Sequence, residues 1–299
     1  MASQTAAMKT GSPWTPYWQA APLTAVFLLF FILPLFVTFV VSFWNYTEYS
    51  IEPAFVPQNY VEVFDKCIGG LPTLCTTFKT YLSTMKFCLI VWAITLALGF
   101  TVSYYITFEI KTATTRMILA LVCTIPFWTS NVIRMISWIP LLGRNGLVNQ
   151  TLMATGLIGQ PLEWLLYSDF AVVLAFVHLN TVFMIVPIVN SMSRIDRALI
   201  EAAHDAGATG WQTLWNVVIP LSKTGIMIGS IFVFTVVMGD FVTIGLMGGQ
   251  QIASVGKVIN VQIGYLQFPI AAANAIILLA IVLMIVWTMV RFVDIRKEL

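Results

Sequence analysis

Charge is what this chain has least of. Only 9% of its 299 residues are Asp, Glu, Lys or Arg, while 59% are hydrophobic, which is outside the range of ordinary soluble domains. Histidine is nearly missing: His178 and His204 are isolated from each other and from any cysteine pair, so no metal-ligand cluster is formed. No phosphate-binding loop exists. Gly256-Lys257 is followed by Val258 and lacks a glycine five residues earlier, so any nucleotide energy must enter through another subunit. No nucleophile stands in a pattern with a base, so the chain is not read as an enzyme. The formal net charge of +2 is scattered, which gives no reason to expect a nucleic-acid partner.

What the chain has is long apolar runs. Six of them, near 22–44, 87–108, 117–142, 170–192, 226–247 and 270–290, reach the length of about 20 residues that a helix needs to cross a bilayer. The expected fold is therefore all-α and polytopic, with residues 1–21 as an inner segment and 22–299 as one six-helix domain. The first run is too long for a cleavable signal, and Lys9 alone stands for a basic n-region. Trp14, Tyr17 and Trp18 suit an interfacial aromatic belt before it.

Lys9, Lys111, Arg116, Arg194, Arg197, Lys223, Arg291, Arg296 and Lys297 fall on one side, against Lys66, Lys79, Lys86, Arg144 and Lys257 on the other. That bias puts both termini in the cytoplasm. The outer loops, near 45–86, 143–169 and 248–269, carry Glu48, Glu52, Glu62, Asp65, Glu163 and Asp169, either as a docking surface or as ordinary solvated loop. Cys67 and Cys75 share the first outer loop, as a disulfide or as two free thiols; Cys88 and Cys123 lie within spans as packing residues.

The one long inner loop, 193–225, is polar and sharply punctuated, with its working part at 193–221. Ile195, Leu199, Ala202 and Ala206 recur at helical spacing, so 194–206 reads as a short helix capped by Ser193 with Asp196 in the reciprocal position. Gly207 is placed to end it in the left-handed conformation. Thr209 then caps a second helix, with Gln212 completing the box and Trp211, Leu214, Trp215 and Val218 as its apolar face; Pro220 is expected to stop it. Ala198, Ala202 and Ala203 beside Glu201 and Asp205 make a small, acidic-edged surface suited to a socket on another protein, although a connector packed on its own bundle fits the periodicity equally.

The run Glu201-Ala202-Ala203, three residues, Gly207, nine residues, then Val217-Val218-Ile219-Pro220 resembles the signature loop of binding-protein-dependent ABC importer permeases, with Val217 for Ile and Ile219 for Leu as its departures. The resemblance covers essentially the whole chain and implies the type I importer permease fold in a bacterial inner membrane. It also implies partners: a cytoplasmic ATPase dimer that carries the ATP and Mg, a second permease subunit, a periplasmic or lipid-anchored substrate-binding protein, and surrounding lipid. No cofactor is implied in this chain. In that family the loop is the coupling helix, which gives Glu201, Ala202, Ala203, Asp205, Gly207 and Pro220 their expected role. GRNGLVNQTL at 143–152 and GDFVTIGLMGG at 239–249 resemble the spermidine/putrescine branch, although Ile244 stands where many relatives have proline. Opine, aminophosphonate or amino-acid-like solutes remain alternatives.

For the substrate path the candidates are Asp240, Asn131, Trp128, Trp92 and Asn180, with Asn190, Tyr104, Tyr105 and Trp138 as further possibilities. A carboxylate in a span must face protein or water; Asp240 would contact a cationic solute or pair with Arg134. Aromatic faces would hold an amine by cation–π attraction, and amides would line a path or bond between helices. A short helix is expected at 147–155 on the outer surface. Gly225 and Gly229 read as a close-contact pair, within the chain or across a dimer. An ion-gradient-driven secondary transporter is the rival reading, and a membrane scaffold the third.

Overall fold

The computed structural model describes residues 15–47, 50–64, 75–249 and 251–291. Helices α1 (Thr15–Phe27) and α2 (Leu33–Val41) are joined by a π-turn at Leu28–Ile32 into the first span. A two-residue hairpin, β1 (Asn45–Tyr46) antiparallel to β2 (Ile51–Glu52), and the short α3 (Gln58–Val63) lead to α4 (Thr76–Tyr104). Next come α5 (Ala113–Thr124), a 3₁₀ turn at Ile125–Trp128, α6 (Asn131–Leu142) and α7 (Leu147–Ala154). The remainder is α8 (Asp169–Met192), α9 (Arg197–Asp205), α10 (Gly210–Thr213), a π-turn at Leu214–Val218, α11 (Ile219–Gly239), α12 (Val242–Met247), α13 (Val255–Gly264) and α14 (Phe268–Arg291). Among the described residues five helices are long and apolar enough to cross a membrane, and a broken pair makes six.

The broken pair corrects the expected third span. A straight helix over 117–142 does not form: Ala113–Trp128 and Asn131–Ala154 meet at 90°. Pro126 removes a backbone donor and the turn tightens to 3₁₀, with Thr129 donating both its N–H and its hydroxyl to the Pro126 carbonyl. The fifth span also ends early. α11 stops at Gly239, and 242–247 is a separate short helix. The first two spans begin earlier than their apolar runs, because Tyr17, Thr76 and their neighbours continue the helix into polar sequence.

α4, α8 and α11 form the core. Hydrocarbon gives helices no hydrophobic drive to associate, so close contact and interhelical bonds must hold them. Met184 of α8 fits between Gly99 of α4 and Gly229 of α11: a Cβ built on either would lie 2.7 Å from its side chain. A Cβ on Gly225 would lie 2.5 Å from the Pro187 carbonyl oxygen. The Gly225/Gly229 contact is therefore within the chain. Trp92 donates to Ser230 Oγ (2.8 Å) and Ser103 to the Ile185 carbonyl (3.2 Å), joining the same three helices.

The Gly225→Ala variant should lose about 1–3 kcal/mol, since the atom it meets is backbone and has no rotamer to escape into. Gly229→Ala should cost less, because the atom nearest its Cβ is Met184 Sδ (2.7 Å), far out on a flexible thioether chain. Thermal unfolding in detergent, read by tryptophan fluorescence, orders the two; an equal fall in midpoint would contradict this packing.

Candidate functional site

Two features stand out: the loop at 193–221 and the two broken helices. In the loop Asp196, rather than Ser193, is the N-cap of α9. Its carboxylate accepts from Ala198 N (3.0 Å), while Ser193 Oγ donates back to the Asn190 carbonyl (2.9 Å). α9 accordingly starts at Arg197 and not at 194. Its end is a Schellman motif: Gly207 takes φ +83°, its N–H reaches the His204 carbonyl (2.9 Å), and Ala208 N–H reaches that of Ala203 (3.0 Å). Nothing lies within 4 Å of a Cβ built on Gly207, so the constraint there is purely conformational.

Thr209 caps α10 with Gln212 in a full reciprocal box. Pro220, however, stops nothing. Gly210–Gly239 is one continuous helical run of 30 residues. The π-turn carries the chain past the proline: Ile219 N–H bonds to Leu214 O, five residues back. The N-terminal span uses the same device, with Leu33 N–H bonding to Leu28 O ahead of Pro34.

No residue of α9 is buried. Glu201 and Ala202 are exposed and Ala203 partly so, with His204, Asp205 and Gly207 open beside them. Leu199 is half exposed, and Trp211 and Trp215, edge-to-face at 5.8 Å, are 68% and 54% exposed. A segment this well capped and this rich in uncovered apolar side chains keeps its shape without burying them, as a contact surface does.

Beyond the second break α12 packs on α6, the helix that follows the first break, and on α8; the first break lies against the middle of α8, with Phe127 edge-to-face on Phe183 (5.7 Å). Irregular backbone at membrane depth is tolerated only where protein or a water-filled cavity covers it, and paired broken helices mark binding sites in membrane transporters. Asp240 sits at the second break. Its Oδ1 accepts from Thr243 N (2.9 Å) and its Oδ2 from the Thr243 hydroxyl (2.6 Å), so the carboxylate caps α12. Gly256 is pressed against this break, where a Cβ would meet the Gly239 carbonyl at 2.8 Å. Arg134 does not pair with Asp240. It donates to Asn131 Oδ1, and its Nε and Nη1 are buried without a partner.

The other candidates scatter. Trp128 is 82% exposed beside the first break, and Asn131 is exposed next to it. Asn180 is fully buried in α8, donating to the Phe176 carbonyl (2.8 Å) while its Oδ1 has no partner. Trp92 is a packing residue against Ser230 and Phe234. Trp138 donates to His178 (3.1 Å), and Tyr104 packs at a tilt against Phe108. Asn190 and Tyr105 are exposed and apart from the breaks. The outer-loop acids divide as well: Asp169 pairs with Lys86 (2.7 Å) and Glu163 with Arg144 (3.6 Å). Cys75 is disulfide-bonded while Cys88 and Cys123 are free. Cys67, Glu48, Asp65, Lys9 and Trp14 lie outside the described residues.

Sequence reading missed Asn149. This buried side chain donates to the carbonyls of Gly143, Arg144 and Leu162 and accepts from Leu162 N (2.8 Å), pinning the whole 143–162 loop around α7. Four bonds to backbone from one amide leave no signature at any fixed spacing.

The fold is that of an ABC importer permease. A solved bacterial alginate ABC transporter, in complex with an alginate pentasaccharide-bound periplasmic protein, superposes with a TM-score of 0.70 over 92% of each chain at 18% identity. In sequence, the spermidine/putrescine transport system permease protein PotB of Escherichia coli (strain K12) is 28% identical over 277 residues, covering 91% of this chain and 96% of PotB. PotB of Salmonella typhimurium (strain SL1344) is 29% identical over 272 residues, 89% and 91% of the two chains. No family model matches. The chain is thus an ABC importer permease, a multi-pass inner-membrane protein; those full-length relatives are spermidine/putrescine permeases.

Asp240→Asn should keep α12 in place, because an amide oxygen still accepts from Thr243 N, whereas Asp240→Ala should cost about 0.5–2 kcal/mol for the lost cap. Melting midpoints of the two variants should differ in that order, and equal stability would remove the cap from the account.

Proposed function

We propose that this permease moves a small cationic organic solute inward, a polyamine such as spermidine or putrescine first among them, with both of its termini in the cytoplasm. The observation that carries the reading is Asp240: a carboxylate at the broken, outer part of α11 with no ion pair among the described residues. Its capping bonds use one lone pair on each oxygen and leave further acceptor sites for an ammonium. The names of the relatives agree with it.

Loop 193–221 serves as the coupling element on this reading. The Ala202/Ala203 surface with Glu201 and Asp205 at its edge seats in a cleft of a cytoplasmic ATPase dimer, which holds ATP and Mg; this chain holds no cofactor. Gly207 sets the angle between α9 and α10, and the π-turn at Pro220 joins α10 to α11 without a break. A second permease chain completes the path, and a periplasmic or lipid-anchored binding protein delivers the solute. Asn131 and Trp128 at the first break line the path with Asp240, whereas Trp92 and Asn180 position helices. One observation favours a second reading: the unpartnered Nε and Nη1 of Arg134 would suit a solute that also carries a carboxylate, such as an opine or an amino acid.

ATP-driven uptake into proteoliposomes holding the complete transporter tests both. Labelled putrescine should accumulate in the wild type, and Asp240→Asn should cut its uptake about tenfold, the size of one charge-assisted bond. Accumulation of an amino acid but not putrescine, lost on Arg134→Gln, would replace the first reading with the second. In the same vesicles Gly207→Val should abolish uptake while ATP hydrolysis persists, because a β-branched residue resists positive φ. Gly207→Asn, which tolerates that conformation, should retain most of it. Normal uptake in Gly207→Val would remove the turn from the mechanism.

A further inference from the structure

A cavity of about 640 Å³, lined by neither Asp240 nor Arg134, lies between α3, the first turns of α4, α13 and α14. Its polar walls include Glu62, Tyr81, Gln262 and Asn274, with threonines of α4 beside them, and its apolar walls include Val258 and Ile270. No basic side chain lines it among the described residues. The Tyr81 hydroxyl is buried there without a hydrogen-bond partner, which native proteins seldom leave so unless something else completes the bond. Gln262 Oε1 takes one bond from Asn274 Nδ2 (3.0 Å) and keeps its second lone pair.

Glu62 stands at the rim and makes no ion pair among the described residues. Its charge is felt locally: the Tyr46 phenol on β1 is pushed above its ordinary value, first by burial and then by the Glu62 carboxylate. The frame around these groups is firm. Asn59 of α3 donates to the carbonyls of Ser42 and Trp44 (both 2.8 Å), Thr77 donates to the Val63 carbonyl (2.6 Å), and Val255 N–H bonds to Thr84 Oγ1 (3.1 Å).

A carboxylate, a phenol and an amide oxygen around one space, with no basic side chain lining it among the described residues, match the three donors of a primary ammonium, and Val258 and Ile270 match a short apolar stem. We propose that this cavity is a second ligand site, for a primary ammonium group, separate from the path at Asp240. The ammonium belongs either to a free diamine or to an ethanolamine lipid headgroup. The site stands independently of what the path carries.

The complete transporter, without its binding protein, in phosphatidylcholine nanodiscs should bind labelled putrescine with a component whose Kd rises about tenfold in Glu62→Gln and several-fold in Tyr81→Phe. Asp240→Asn should leave that component intact, which separates this site from the transport reading. Glu62→Gln and Tyr81→Phe keep the shape of the backbone and ring or stem, and unchanged melting midpoints exclude misfolding as the cause. In phosphatidylethanolamine nanodiscs a headgroup occupant would displace the putrescine component, and native mass spectrometry would retain ethanolamine lipid on the wild type but not on Glu62→Gln. The site is refuted if neither putrescine binding nor lipid retention responds to Glu62 and Tyr81.

Discussion

Hydrocarbon supplies no hydrogen bonds, so each interruption of a membrane helix must be repaired from within the chain. This constraint organises the molecule. At Pro34 and Pro220 the repair is the same. A leucine six residues before the proline accepts from the residue just ahead of it, Leu28 from Leu33 and Leu214 from Ile219, and a π-turn carries the helix past the missing donor. At Asp240 the repair is a side chain that accepts the freed Thr243 N–H. At Pro126 it is a tightened turn closed by both donors of Thr129. The first two repairs keep a rod straight through; the last two let it bend.

The placement of these two kinds follows from what surrounds them. The π-turn before Pro220 lies where α10 must run into α11, and one helical run of 30 residues results. α11 is locked on α8 at Gly225 and Gly229, and α8 on α4 at Gly99, with Met184 held between the two contacts. Close-packed interfaces of this kind transmit displacement rather than absorb it. On the proposed reading, a pull on the capped elbow at Gly207 therefore reaches the helices that carry the breaks. The helices that follow the two breaks, α6 and α12, pack on each other, and α12 also packs on α8.

Local rules were legible where local bonds decide. Gly207 in the left-handed region, the Thr209–Gln212 box and a helix at α7 each rest on a few neighbouring residues, and the structure has all three. The errors share one origin. Proline was read as a stop at 220 because the missing N–H was weighed without the π-turn that accommodates it. Ser193 was read as the cap because two acceptable caps lie three residues apart, and only the backbone's extension at Asp196 (φ −66°, ψ 128°) chooses between them. The straight third span ignored Pro126, whose signal was in plain view. Asn149 and Tyr81 carried no signal, since their roles depend on groups brought together by the fold.

Asp240 shows why a structural role does not exhaust a charged residue. The cap accounts for an acceptor at that position, but Ser, Thr or Asn would supply one without a charge. At the end of a membrane span a carboxylate is costlier to insert than any of these, the more so the deeper it lies. Its two bonds to Thr243 offset part of that cost and leave the charge itself without an ion pair among the described residues, since Arg134, the basic residue that the sequence places within a span, is engaged with Asn131. What the fold needs at 240 is an oxygen. What the chain has is a carboxylate, at a break that packed protein or a water-filled cavity must cover, and on the proposed reading that surplus is the part of the residue which transport uses.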